Sequence, residues 1–357
     1  MTETWGLGGD RDWPTSAAFA DLDGDGDLDL YVCHYLDWDE AHPRICGSPG
    51  GQDGRTYCNP RLFPSRPDHL FRNDGDRFVD ATAEAGLVDR DGRGLGVVAA
   101  DLDDDGRVDL YVANDTTANY LFRNLGGLRF EEIGQPAGVA AGAAGGYQAG
   151  MGVACGDLDG DGRLDVAVTN FYGESTTLYR NLGSGLFADH SAASGLAAAS
   201  RYLLGFGITF LDADADGRLD LATANGHVND ARPAVPYAMP AQLLLGSPAG
   251  RLRDVSDSAG PPGASPASGG AWRRATSTTT AASTSCSSPR MARRLTSTTA
   301  RAAAISSRSA SKGRPRAGMP SAPGSPSRPG GARTSPNASE GGATSRRATR
   351  ASTSASE

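Results

Sequence analysis

Asp recurs at odd positions in four short stretches of this chain. They read DLDGDGDLDL from Asp21, DLDDDGRVDL from Asp101, DLDGDGRLDV from Asp157 and DADADGRLDL from Asp212. Each follows D-x-D-x-D-G-x-x-D and runs on into apolar residues. Carboxylates at loop positions one, three and five are aimed at one point, Gly at six permits a sharp turn, and position seven offers its carbonyl. The Asp at nine closes the shell. The expected ligand sets are therefore Asp21, Asp23, Asp25, Asp27 and Asp29; Asp101, Asp103, Asp105, Arg107 and Asp109; Asp157, Asp159, Asp161, Arg163 and Asp165; and Asp212, Asp214, Asp216, Arg218 and Asp220. Arg107, Arg163 and Arg218 enter only through their carbonyls. Oxygen ligands at this density suit a hard cation, and calcium is the expected cofactor. A plain Asp-Gly hairpin turn explains the Gly, but it leaves clustered carboxylates repelling one another.

The elements around these loops are not those of an EF-hand. That loop needs a bidentate Glu at position twelve and a helix after it. Here position twelve is Val32, Val112, Val168 and Thr223, and the stretches that follow are β-branched, aromatic and partly alternating. Each loop therefore feeds a strand. A second motif recurs between the loops: LFRNDGDRF from Leu70, LFRNLGGLRF from Leu121, LYRNLGSGLF from Leu178, and a worn LLLGSPAGRL from Leu243. Each unit offers four short strands, and four antiparallel strands per repeat of roughly 50 residues make a β-propeller blade. A solenoid usually has shorter repeats. The wide gap between the first two Asp loops holds an insertion over about residues 33–66.

The D-x-D-x-D-G-x-x-D loops and RN-x-G-x-x-F segments resemble FG-GAP/VCBS repeats, as in integrin α-subunit propellers. The phrases DLYVCHY, ICGSPGG, YCNPRLFPSRPDHLFRNDG and ATANGHVND resemble the cartilage acidic protein type, whose members end in an ASPIC/UnbV domain. The resemblance covers roughly residues 1–262. It implies an all-β, secreted, calcium-binding propeller of the integrin α-like kind. It also implies a complete ring of about seven blades, so the repeats here predict an incomplete ring.

Composition breaks near Pro262. Residues 1–262 hold 40 of the 42 acidic and 19 of the 34 basic residues, a net charge of −21. Residues 263–357 hold 15 basic residues against Glu340 and Glu357, a net of +13, so the whole-chain −8 hides two opposite segments. The tail has no Asp and is rich in Ser, Thr, Ala, Arg and Pro. It buries too little apolar surface to offset chain entropy and is expected to be disordered. Taken at face value, a basic Ser/Arg-rich tail suggests nucleic-acid binding. A reading-frame slip explains it better. Asp-Leu-Asp-His-Asp-Gly-Arg-Leu-Asp-Val, written in GC-rich codons and slipped by one base, gives the sequence from Thr276 to Ser285, where a fifth Asp loop is due. The same slip turns Tyr-Leu-Ala-Ser-Ser-Asp-Pro-Arg-Leu-His-Phe-Gly into Thr344 to Ala355, a peptide similar to the closing motif of the ASPIC/UnbV domain. The expectation is an out-of-frame remnant of a last blade and that domain, with no nucleic-acid partner. The sequence also has no signal peptide before the first loop, which suggests a truncated start. No stretch has the roughly 18 apolar residues of a membrane span.

Cys46 and Cys58 bracket a Gly- and Pro-rich loop with little core of its own and are the candidate disulfide. Zinc is the rival, but no C-x-x-C accompanies them. Cys155, among small residues, reads as a buried thiol. His227, in NGHVND, reads as a turn residue. No G-x-S-x-G, H-E-x-x-H or P-loop is present. The spare carboxylates Glu131, Glu132 and Asp189 lie in the repeat motif itself. Trp5, Trp13 and Trp38 offer either a carbohydrate-stacking face or rim packing. The expected function is an adhesion or binding module for protein or glycan, extracellular or in the periplasm or at the cell surface, with no catalysis of its own. The alternative is a propeller-based polysaccharide hydrolase or lyase.

Overall fold

Alternation places the apolar residues of each short strand on opposite faces of a sheet, and the Asp-Gly and Asn-x-Gly turns reverse the chain between strands. The computed structural model describes residues 4–7, 13–47, 56–87, 91–248 and 250–259. Four antiparallel sheets of four strands follow one another in sequence. The first comprises β1 (Pro14–Ala20), β2 (Asp29–His34), β3 (His69–Asn73) and β4 (Phe78–Asp80). The second comprises β5 (Gly94–Ala100), β6 (Asp109–Asn114), β7 (Tyr120–Asn124) and β8 (Phe130–Glu132). In the third, β9 (Val153–Gly156), β10 (Asp165–Val168), β11 (Thr177–Gly183) and β12 (Leu186–Asp189) pair in the same order. The fourth is β13 (Gly205–Leu211), β14 (Asp220–Asn225), β15 (Gln242–Ser247) and β16 (Arg251–Asp254). The protein is thus all-β and built of propeller-like blades, and these four blades are consistent with an incomplete ring.

Register is the same in every blade. The Asp loop joins the first two strands, and its ninth residue opens the second strand opposite the last residue of the first: Ala20 with Asp29, Ala100 with Asp109, Gly156 with Asp165 and Leu211 with Asp220. The first strands β1, β5, β9 and β13 lie in series, so all four Asp loops leave the same ends of their sheets.

The core lies between blades rather than within them. Leu22, Tyr31 and Leu70 of the first blade pack against Leu110, Val112 and Phe122 of the second. The second blade turns Tyr111, Ala113 and Leu121 toward Val166, Val168 and Tyr179 of the third. Ala167 and Leu178 of the third meet Ile208, Leu221 and Leu244 of the fourth. Alternation along β6 and β10 therefore serves two seams at once, which is why these strands are apolar on both faces.

The insertion lies between β2 and β3, as its sequence position requires. It docks at the sheet ends opposite the Asp loops. Arg61 bonds the Thr116 carbonyl, Arg93 donates to the Phe63 carbonyl at 3.3 Å, and the Tyr57 amide donates to Asn229 Oδ1 of the fourth blade at 3.0 Å. Cys46 and Cys58 are bridged, with Cα atoms 5.2 Å apart. Among the described residues no helix is long and apolar enough to cross a membrane. The tail beyond 262, with Cys286 and both slipped segments, lies outside the described residues.

Candidate metal centre

Gly at position six of each loop adopts the left-handed conformation, with φ of 95° at Gly26, 86° at Gly106, 90° at Gly162 and 84° at Gly217. Only Gly takes that conformation at no steric cost. Each of these amides donates to the second carboxylate oxygen of the position-one Asp, at 3.1, 2.8, 2.9 and 3.1 Å for Asp21, Asp101, Asp157 and Asp212. The turn thus orients the first ligand. Position four is also left-handed, and there Asp104 and Ala215 carry side chains at φ 63° and 61°.

Each loop gathers three carboxylates, from positions one, three and nine in three loops and from one, three and five in the third. Ligand oxygens lying within 4.8 Å of one another come from Asp21, Asp23 and Asp29; Asp101, Asp103 and Asp109; and Asp212, Asp214 and Asp220. In the third loop they come from Asp157, Asp159 and Asp161. Elsewhere position five stands outside the group, whether or not an arginine reaches it. Arg107 and Arg218 turn back onto Asp105 and Asp216, and Arg163 does the same to Asp161. These arginines therefore act through their guanidinium groups, a role the spacing did not suggest.

The ninth Asp does more than close a shell. Asp109 accepts the Leu102 amide at 3.0 Å on one oxygen and the Asn124 amide at 2.8 Å on the other. Asp29, Asp165 and Asp220 each take the corresponding two amides. Each buckles its loop to the third strand of its own blade. Burial pushes the Asp109 and Asp165 carboxyls up to about 6, and nearby loop carboxylates add to the rise. Burial likewise raises Asp29, Asp23 and Asp103.

The donor set fits a hard divalent cation. Three carboxylate oxygens within 4.8 Å of one another are close enough for small side-chain adjustments to bring them to one calcium-sized ion. Asp103 Oδ1 is also buried with no hydrogen-bond partner. A buried, unpartnered carboxylate oxygen is costly unless a cation or proton meets it.

The remaining sequence candidates have structural partners. Glu131 pairs with Arg123 at 2.5 Å, Glu132 accepts the Gly134 amide at 2.6 Å, and Asp189 accepts the Ser191 and Ala143 amides at 2.9 Å. His227 Nδ1 accepts the Asn229 amide at 3.0 Å, which is a turn role. Cys155 is half-buried, and burial raises its thiol. Trp5 lies tilted 6.5 Å from Phe78, whereas Trp13 packs edge-on to Tyr35 at 5.5 Å and Trp38 lies 5.5 Å from Phe63. Sequence reasoning missed Asp115. Tyr35 of the first blade donates its hydroxyl to Asp115 of the second at 2.5 Å. Glu174 reaches the same place by accepting the amide of Ala149, the bridge partner of Asp115. Burial pushes the Asp115 carboxyl up to about 6, against the Tyr35 bond that lowers it.

A model of the FG-GAP-like repeat matches residues 101–168 and 157–223, which contain the second, third and fourth Asp loops. Cartilage acidic protein 1 of Homo sapiens is 30% identical over 171 residues, and the Mus musculus protein matches equally. The match covers 45% of this chain and 24% of the human protein, so the chain spans about a quarter of that relative. Among solved structures, an Agrocybe aegerita lectin that recognises non-reducing terminal N-acetylglucosamine is 18% identical, with a TM-score of 0.37 over 67% of this chain and 51% of its own. A Bacillus licheniformis rhamnogalacturonan lyase is also 18% identical, with a TM-score of 0.32 over 66% and 40%. Loop, turn and strand order therefore agree with the sequence matches: residues 101–223 of this chain carry FG-GAP-like repeats.

Proposed function

We propose that the chain is an extracellular, calcium-stabilised section of a propeller that binds a protein or glycan ligand and performs no chemistry of its own. The observation that carries the metal part is the gathering of three carboxylate oxygens within 4.8 Å in each of four loops. Asp21, Asp101, Asp157 and Asp212 with their position-three partners would hold the ion; the ninth Asp would complete the set in the first, second and fourth loops, and Asp161 in the third. Calcium would neutralise carboxylates that otherwise repel one another. The Cys46–Cys58 bridge supports an oxidising compartment. Residues 1–262 would form the blade section, and 263–357 would be an out-of-frame remnant.

For the ligand, the support is the aromatic group at the opposite sheet ends, where Trp38 is 38% exposed beside Phe63 and Trp13. The test is calorimetric calcium counting on the full chain, followed by a glycan and protein array with calcium present. Four ions and a ligand whose binding is lost in Trp38→Ala at unchanged calcium count are expected. No calcium uptake would sink the reading.

One observation favours a second reading, a polysaccharide-active enzyme. Asp115, raised to about 6 and set beside Glu174, has the protonation a general acid needs near neutral pH. New reducing or unsaturated sugar ends released by the wild type but not by Asp115→Asn would establish it.

A further inference from the structure

The four loops share one pattern but differ in the positive charge around it. At position seven the first loop has Asp27, where the others have Arg107, Arg163 and Arg218. The first loop therefore carries five carboxylates and no arginine. The second also has five, through Asp104, but Arg107 bonds Asp105 and anchors its Nε on the Asn124 carbonyl at 2.7 Å. The fourth has four carboxylates with Arg218 on Asp216.

In the third loop a second arginine intrudes. Arg180 lies 2.5 Å from Asp159 Oδ2 and 3.6 Å from Asp161, while Arg163 also holds Asp161. The partners of the matching arginines differ from blade to blade. Arg123, the matching residue of the second blade, stands opposite Glu131 and pairs with it at 2.5 Å. Arg72 of the first blade is drawn to Asp74 at 2.8 Å and Glu84 at 3.8 Å. Arg180 stands opposite Ala188 and has Leu182 where Arg72 has Asp74, so neither position offers it a carboxylate, and it lies on the loop instead. In the fourth blade the matching position is Leu245.

We infer that these arginines grade the four sites, so that the first loop binds calcium most tightly and the third most weakly. Ligand charge count and site rigidity tune calcium affinity in oxygen-ligand loops. A guanidinium on a ligand carboxylate competes for its oxygen and repels the ion. One unit charge near the site, at surface screening, is worth about tenfold in affinity. Calcium would then fill the blades in order, the first loop before the second and fourth, and the third last. The third site would act as a threshold element, ordered only at higher calcium. The inference rests on the calcium reading above.

The glycine amides at position six give one reporter per loop, because each bonds the first ligand. Gly26, Gly106, Gly162 and Gly217 would be followed by amide NMR on the full chain as calcium is added at fixed pH after chelation. The Gly162 midpoint is expected at least about tenfold above that of Gly26. Arg180→Gln should lower the Gly162 midpoint about tenfold, and Asp27→Arg, a change of two unit charges, should raise the Gly26 midpoint about a hundredfold, each leaving the other loops unmoved. Asp27 is exposed and Arg180 half-buried, and neither change removes one of the three carboxylates that gather in its loop. Four midpoints within about twofold, or Gly162 responding first, would overturn the grading while leaving calcium binding intact. No response in any loop at millimolar calcium would overturn both.

Discussion

The side-chain amide of Asn124 donates to the backbone carbonyl of Leu22 at 2.8 Å, across the seam between the first two blades. Leu22 lies inside the first Asp loop, and Asn124 ends the LFRN segment of the second blade. Asn181 repeats the contact to Leu102 at 2.9 Å. Each such Asn therefore ties its own blade to the metal loop of the preceding one. In the fourth blade the position is Gly246, and this bond is missing at the last seam.

Asn124→Ala should be costly for this reason. It strands the Leu22 and Val108 carbonyls and the Gly126 amide, all of which Asn124 satisfies while nearly fully buried. Urea denaturation should show a loss of about 2–4 kcal/mol. Asn73→Ala is the control, since Asn73 Nδ2 reaches only Leu28 of its own blade, at 3.2 Å. Equal losses in the two variants would mean the seam bond is not the source.

Chelation should lower the melting temperature. A ligand that binds only the folded loop at a hundredfold over its dissociation constant adds roughly 2.7 kcal/mol per site. Asp103→Ala removes the unpartnered oxygen of the second loop and should delete one ion from the calorimetric count. Loss of all four ions together would show that the blades do not bind independently.

Asp115 should make stability depend on pH. Its folded carboxyl is raised from 3.8 to about 6, so the folded state holds the proton more tightly than the unfolded chain. Its contribution is then most favourable below about 4 and is lost as pH rises through about 6, a cost of roughly 3 kcal/mol. Asp109 and Asp165 act with the same sign, so the informative quantity is the difference between wild type and Asp115→Asn. Denaturation midpoints at pH 4.5 and 7.5 should draw closer in the variant. An unchanged gap would leave the slope to the loop carboxylates.

Replacing Cys46 and Cys58 by Ser should loosen the insertion and spare the sheets. The bridge closes a span of 12 residues, and its loss is worth about 2–3 kcal/mol locally. Proteolysis between the two positions should accelerate, and the Tyr57–Asn229 contact across to the fourth blade should weaken. Unchanged cleavage would show that Arg61 and Tyr35 hold the insertion without the bridge.

Much of this protein was legible in its residues because it is local. D-x-D-x-D-G dictates its own turn, since the Gly conformation and the position-one carboxylate lie within six residues of each other. Alternation gave the strands, and the period gave the blades. The contacts that span many residues could not be read that way. The ninth Asp as a buckle depends on β3, β7, β11 and β15 lying beside the loop. Arg180 meets Asp159 where Arg123, one blade earlier, meets the cross-strand Glu131 in place of Ala188. Tyr35 and Asp115 are 80 residues apart, and neither belongs to a repeated motif. Sequence spacing determines what a turn can hold. Packing of one blade on the next decides which charges share a site, because electrostatic competition follows distance in space and not order along the chain.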